Sequence, residues 1–210
     1  MDTVIFGNPE ADIVLIQPVD QSDLEMIEEE IKIIKELTCK DFKLIAFKVS
    51  DWNRELTPWS APAVFGKTDF GDGAGDTLKE ILDVCTDGRK TYYIGGYSLA
   101  GLFSLWAAYQ TDIFKGVGAA SPSVWYPGFD KYFLSHDIKA DTVYLSLGDK
   151  EARTKNQVMA RVEENIKHLN DNLMNNNIHC HFESNLGNHF KDSEIRTAKA
   201  FAYILNHQNK

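Results

Sequence analysis

Residues 91–101 read Thr-Tyr-Tyr-Ile-Gly-Gly-Tyr-Ser-Leu-Ala-Gly, and their order decides the fold. Thr91 to Gly95 carries the β-branched and aromatic residues of a strand, Gly96-Tyr97-Ser98 suits a sharp turn, and Leu99 opens an apolar helix that runs to Tyr109. A serine at the apex of such a turn has a strained backbone, and strand and helix pass one another only if the positions two residues either side are tiny. Gly96 and Ala100 meet that need, with Gly101 beside them. Ser98 is therefore a candidate nucleophile; the competing reading is a plain strand-to-helix junction in which Ser98 caps the helix through Leu102.

Outward from this turn, β-rich and helical stretches alternate. Toward the N-terminus, Val4–Phe6 and Ile13–Ile16 flank the turn-forming Gly7-Asn8-Pro9-Glu10 and predict an N-terminal β-hairpin. Ser22 and Glu25 form a capping-box signature ahead of a helix with Leu24, Ile27, Ile31, Ile34 and Leu37 on one face. A strand from Leu44 to Val49, a long loop from Ser50 to about Gly75 and a helix through Leu78, Ile81 and Leu82 follow. Beyond the central turn come strands at Gly116–Ala120, Thr142–Leu147 and Ile178–Phe182. Helices are expected at Val158–Leu173 and Ser193–Leu205. Parallel neighbours need long crossovers, so the alternation predicts an α/β fold: one mostly parallel sheet with helices on both faces, in a single domain over residues 1–210. Reactive groups in such a sheet gather at the carboxyl ends of its strands.

Composition narrows the function. The 210 residues carry a net charge of -9 with Lys and Arg scattered among Asp and Glu, which argues against a nucleic-acid partner. The three cysteines, Cys39, Cys85 and Cys180, lack ligand spacing and point to reduced thiols, with no metal and no cofactor expected. They fall late in helical patterns or within a strand, where small buried hydrophobes are expected. Met1-Asp2-Thr3 leads straight into a β-like stretch, without the pattern of a signal peptide, and no apolar run is long enough to span a bilayer. A soluble cytoplasmic protein acting on a small molecule is the expectation.

A serine hydroxyl becomes nucleophilic when a histidine takes its proton, and the histidine needs an acceptor that fixes its tautomer. In an elbow-type sheet these partners follow in the order serine, acid, histidine, each at a strand end. His168 and His207 lie in helical patterns, His136 in a short helical stretch, and His179 and His181 within a strand. His189 alone occupies a glycine-containing loop after the last strand, in Asn185-Leu186-Gly187-Asn188-His189. The acid comes from Gly148-Asp149-Lys150-Glu151: Glu151, able to curl back from the loop, is preferred, with Asp149 as the alternative. Oxyanion donors are expected at the backbone N–H groups of Leu99 and of Trp52, one residue either way, in the loop after the Leu44–Val49 strand. Trp52, Trp59, Phe65, Phe70, Trp125, Tyr126 and Phe129 crowd the loops at this end, where they either line an acyl or aryl pocket or anchor the loops. Trp125 and Tyr126 are candidate substrate contacts, as is Arg54, which otherwise pairs with Asp51 or Glu55.

At these residues the sequence resembles the esterase branch of the α/β-hydrolases, which includes esterase D, feruloyl esterases and enterochelin-type siderophore esterases. The resemblance rests on Gly96–Gly101, Ala120-Ser121-Pro122-Ser123-Val124-Trp125, Gly148–Glu151, Gly187-Asn188-His189 and Arg54-Glu55-Leu56-Thr57-Pro58. It implies an α/β-hydrolase domain with Ser98, Glu151 and His189 as catalytic triad, acting on a small carboxylic ester through an acyl-enzyme. Ala100 stands where that family's pattern has glycine. The fifty or so residues from Ser98 to the acid leave no room for a cap domain, so an open site is expected. An acyltransferase using the same triad, or a hydrolase-like binding protein without activity, would carry the same residues.

Overall fold

Ile13–Val19 (β2) is apolar along nearly its whole length and buried on both faces, so it needs a strand on each side. In the computed structural model, which describes residues 1–207, those strands are Lys43–Lys48 (β3) and Thr91–Tyr97 (β4), both parallel to it. Thr3–Gly7 (β1), Phe114–Ala120 (β5), Thr142–Gly148 (β6) and His179–Asn185 (β7) complete a seven-stranded sheet in the order β1-β3-β2-β4-β5-β6-β7. All neighbours are parallel except β1, which runs antiparallel to β3.

The N-terminal hairpin expected from sequence is absent. β1 and β2 do run in opposite directions, but β3 is inserted between them: Ile5 pairs with Ile45, and Ile45 in turn with Ile16. The reason is burial. β1 alternates between exposed and half-buried residues, as an edge strand does, and cannot cover one side of the apolar β2 as the all-buried centre of β3 can.

Strand alternation divides the core into two layers. Val14, Ile16, Ile45, Phe47, Tyr92 and Ile94 face the helices Ala74–Val84 (α3), Leu99–Gln110 (α4) and Val162–Asn175 (α6), whereas Leu15, Leu44, Ala46 and Tyr93 face Gln21–Thr38 (α1) and Ser193–Asn206 (α7). Two short helices, Trp52–Glu55 (α2) and Phe129–Ser135 (α5), interrupt the loops after β3 and β5, and a short bridge between Ala61 and Phe70 folds the rest of the first loop back on itself. The cap of α1 lies two residues ahead of the expected Ser22: Asp20 accepts from the Asp23 N–H, and the Asp23 carboxylate accepts from the Asp20 N–H. Cys39, expected to be buried, is exposed at the end of α1 with φ of 53°.

The strand order reverses between β2 and β4, from which the chain winds outward both ways, and such switch points open a crevice at the strands' carboxyl ends. The ladder between β2 and β4 stops short of this end. β2 pairs with β4 only over Ile13–Ile16, and beyond that Pro18 has no N–H to offer while β4 continues to Tyr97.

Beneath this end of β2, Gln17 Nε2 donates to Glu30 Oε2 at 3.2 Å in the interior. Gln17 Oε1 and Glu30 Oε1 are buried without a partner among the described residues, which suits a protonated Glu30. Burial pushes the Glu30 carboxyl from 4.5 up to about 8; the Gln17 bond opposes the rise, and Asp23 and Glu194 add to it. Between those values the folded chain holds a proton that the unfolded chain has released, so this contribution is full below 4.5 and declines as pH rises toward 8. Glu30→Gln is expected to flatten that decline. Thermal unfolding at about pH 5 and about pH 8 should show the variant gaining a few degrees on the parent at the higher pH.

Candidate active site

The turn after β4 is the most strained point of the site. Ser98 has φ of 57° and ψ of -119°, a conformation that side-chain-bearing residues rarely adopt. Its N–H donates to Ala120 O at 3.1 Å, and its carbonyl accepts from the N–H groups of Leu102 and Ser123, each at 3.0 Å. Close packing makes the turn possible. A Cβ on Gly96 would lie 2.7 Å from the Ala100 Cβ, and one on Gly101 would lie 3.0 Å from Gly96 O and 3.2 Å from Pro122. Alanine at position 100 is accommodated because Gly96, opposite it, has no side chain.

The structure brings Ser98, His189 and Glu151 together. His189 Nε2 lies 3.0 Å from Ser98 Oγ, and His189 Nδ1 lies 2.7 Å from Glu151 Oε2. Ser123 Oγ is a further neighbour of Ser98 Oγ at 3.3 Å. The histidine is partly exposed, with its carbonyl accepting from the Tyr97 hydroxyl at 2.8 Å. The Glu151 carboxylate is almost wholly enclosed, and its Oε1 accepts from Gly148 N–H at 2.6 Å, Ser121 Oγ at 2.8 Å and Arg196 Nη1 at 2.9 Å. Burial disfavours its charge, but the contacts with His189, Gly148 N–H and Ser121 outweigh burial and hold the carboxyl below the ordinary glutamate value. Asp149, the alternative acid, points elsewhere: its Oδ1 accepts from Gly187 N–H at 2.7 Å and tethers the histidine loop. His179 and His181 lie on the exposed side of β7, stacked against Tyr203.

A nucleophile backed by an imidazole whose far nitrogen meets a buried carboxylate is equipped for proton-coupled attack on a carbonyl. Leu99 is the first residue of α4, where the backbone N–H has no partner within the helix. Trp52, the other expected donor, heads α2 after β3, and β3 is two strand spacings from β4, roughly 9–10 Å. The strand beside β4 is β2, and the chain leaves its carboxyl end into Asp20-Gln21, at the start of α1. β2 thus lies between the strand that leads to Trp52 and the strand that leads to Ser98.

Of the expected substrate contacts, Tyr126 and Trp125 belong to the core. Tyr126 is 1% exposed with its hydroxyl donating to Trp59 O, and Trp125 is 7% exposed against Phe65 and Phe70. Phe70 packs on Tyr126 with centroids 5.1 Å apart, and Trp59 Nε1 donates to Pro127 O at 2.8 Å, so these aromatics lock the loop after β3 to the loop after β5. Arg54 is exposed and borders a cavity of about 640 Å³ at the carboxyl ends of β2 and β3, together with Gln21, Ser50 and Asp76. Cys85 and Cys180 are pushed up to about 12 by burial, which leaves them protonated and poor nucleophiles. No helix among the described residues is long and apolar enough to cross a membrane.

No family model matches the chain, and no curated protein matches its sequence. Solved structures do match. An IroE-like serine hydrolase from Shewanella oneidensis superimposes with a TM-score of 0.74 at 14% identity, over 97% of this chain and 75% of that one. The siderophore hydrolase EstA from Aspergillus nidulans has a TM-score of 0.67 at 17% identity, over 97% and 86%. The enterobactin esterase FES from Shigella flexneri has a TM-score of 0.67 at 12% identity, over 97% of this chain but 55% of its own. The chain thus has the α/β-hydrolase fold, and its structural neighbours include serine hydrolases and esterases.

The aromatic lock makes a direct prediction. Tyr126→Phe leaves the partly buried Trp59 carbonyl without the Tyr126 donor and should lower stability by about 1 kcal/mol. Urea unfolding should show this as a lower midpoint at unchanged slope.

Proposed function

We propose that this protein is a serine hydrolase that cleaves a small carboxylic ester through an acyl-enzyme, with Ser98 as nucleophile, His189 as general base and acid, and Glu151 as the group that orients and stabilises the imidazolium. The observation that carries this reading is the position of His189, 3.0 Å from Ser98 Oγ on one side and 2.7 Å from Glu151 on the other. Neighbours of the same fold described as siderophore hydrolase, enterobactin esterase and ferulic acid esterase are consistent with ester chemistry.

In this mechanism Ser98 Oγ attacks the ester carbonyl carbon as its proton passes to His189 Nε2. The carbonyl π electrons move to oxygen, where the Leu99 N–H and the Gln21 N–H at the start of α1 receive the negative charge. Collapse of the tetrahedral species breaks the bond to the alcohol oxygen, which takes the proton from His189 and leaves an acyl-serine. A water then repeats the sequence, giving its proton to His189, and the carboxylic acid departs as Ser98 recovers the proton. Glu151 stays ionised throughout. Substrate would approach Ser98 over the carboxyl ends of β2 and β4 and the partly exposed His189, and the partner proposed is a small ester, with no nucleic acid and no membrane.

Purified protein should hydrolyse p-nitrophenyl acetate and butyrate. Ser98→Ala, still folded by circular dichroism, should lose activity by about 10⁴-fold or more in kcat. Absence of turnover in the parent, with no labelling of Ser98 by a fluorophosphonate, would overturn the hydrolase reading in favour of a binding protein. Glu151→Gln should cost about 10³–10⁴-fold in kcat, whereas Asp149→Asn should stay within about tenfold, since it loses only a loop tether. Product analysis with a competing alcohol separates hydrolysis from acyl transfer.

A further inference from the structure

Arg196, in the first turn of α7, is 2% exposed, and a guanidinium enclosed to that degree must be matched on nearly all its donors. One arm, Nη1, lies 2.9 Å from Glu151 Oε1, 3.1 Å from the Tyr97 hydroxyl and 3.1 Å from Ser121 Oγ. The other, Nη2, donates to Asn188 O at 3.1 Å and Leu186 O at 3.4 Å. These carbonyls flank Gly187, in the loop that ends in His189, and Tyr97 also holds the His189 carbonyl. An ion pair formed for stability alone needs a carboxylate. This one also grips the backbone that carries the histidine.

The planar fork explains why arginine stands here. Its two arms diverge, so one group spans the acid on the β6 side and the loop after β7, a reach that a single ammonium does not provide. The charges are arranged with equal economy: Glu151 offers Oε2 to His189 and Oε1 to Arg196. A permanent cation on the far oxygen draws off part of the carboxylate's field that would otherwise fall on the imidazole.

We propose that Arg196 is the positioning residue of the site, clamping Glu151 to the backbone of the His189 loop and sharing the carboxylate's charge with the imidazole. This rests on the reading of Ser98, His189 and Glu151 as a catalytic triad. Arg196 touches no reacting atom, so its removal acts on rate and on pH profile and leaves substrate affinity nearly unchanged.

The test compares the parent with Arg196→Gln, Arg196→Lys and Tyr97→Phe, using p-nitrophenyl acetate turnover from acid to neutral pH, fluorophosphonate labelling of Ser98, and thermal unfolding. Arg196→Gln should lower kcat by about 10–100-fold, the usual range for partners that orient a reacting group, with KM within about threefold. Its acid limb should move to higher pH by about half a unit to one unit, because Glu151 then acts on His189 without compensation. Arg196→Lys keeps the charge and should restore the limb while recovering only part of the rate. Tyr97→Phe removes a hydroxyl tie without changing any charge and should lower kcat with the limb in place.

A folded Arg196→Gln with parental kcat and an unshifted limb overturns the proposal while leaving the triad reading intact, provided the parent labels at Ser98. Should both arginine variants fail to fold, Tyr97→Phe decides: a parental kcat overturns the proposal and a loss with the limb unmoved supports it. A parent that neither turns over nor labels at Ser98 overturns the triad reading, and the proposal with it.

Discussion

The backbone of Ser98 sets the terms for everything around it. A serine at φ of 57° and ψ of -119° holds a conformation that costs about 1–3 kcal/mol and persists only where its surroundings over-determine it. Those surroundings are the close approach of α4 to β4 at Gly96 and Ala100, the hydrogen bond to the end of β5, and the two N–H groups that tie the Ser98 carbonyl. β4 itself fits between its neighbours only as a thin strand. A side chain on Gly95 would strike Gly118 O on β5 at 2.7 Å and the Phe201 ring on α7 at 2.8 Å. The tight centre of the sheet and the strained turn are thus one requirement.

The same economy extends to the polar side. Ser121, itself at a positive φ of 44° where β5 ends, reaches Glu151, and its successor Ser123 braces the turn. Strand ends that are neighbours in the sheet therefore supply the groups that hold one another in place. Each buried polar atom of Glu151 has a partner of opposite sense, which is the condition for keeping a carboxylate ionised out of water.

Local patterns made much of this legible. Gly96-Tyr97-Ser98 between a strand and an apolar helix marks the turn through steric need alone, and His189 and the Gly148–Glu151 segment stand out because they follow strands and contain glycine. What depends on distant partners was hidden. The alternation in β1 announces a strand without saying which neighbour it takes, and β3 entered between it and β2. Strand count along the chain points to Trp52, whereas neighbours of β4 follow strand order across the sheet. Tyr126 has the composition of a pocket residue, and only its hydroxyl bond to Trp59 shows it to be an anchor. Arg196 occupies a polar position early in a helix, indistinguishable in sequence from a solvated one. Asp20 at the α1 cap is masked in the sequence, because Ser22 and Glu25 satisfy the same pattern two residues later.

Pro18 carries a consequence of a different kind. The β2–β4 ladder ends at Ile16, two residues before a position that lacks an N–H, and a missing donor is not restored by any rotamer change or loop rearrangement. That limit on strand pairing is written into covalent structure. The end of the ladder next to the turn that carries Ser98 is fixed by composition and does not depend on the state of any side chain.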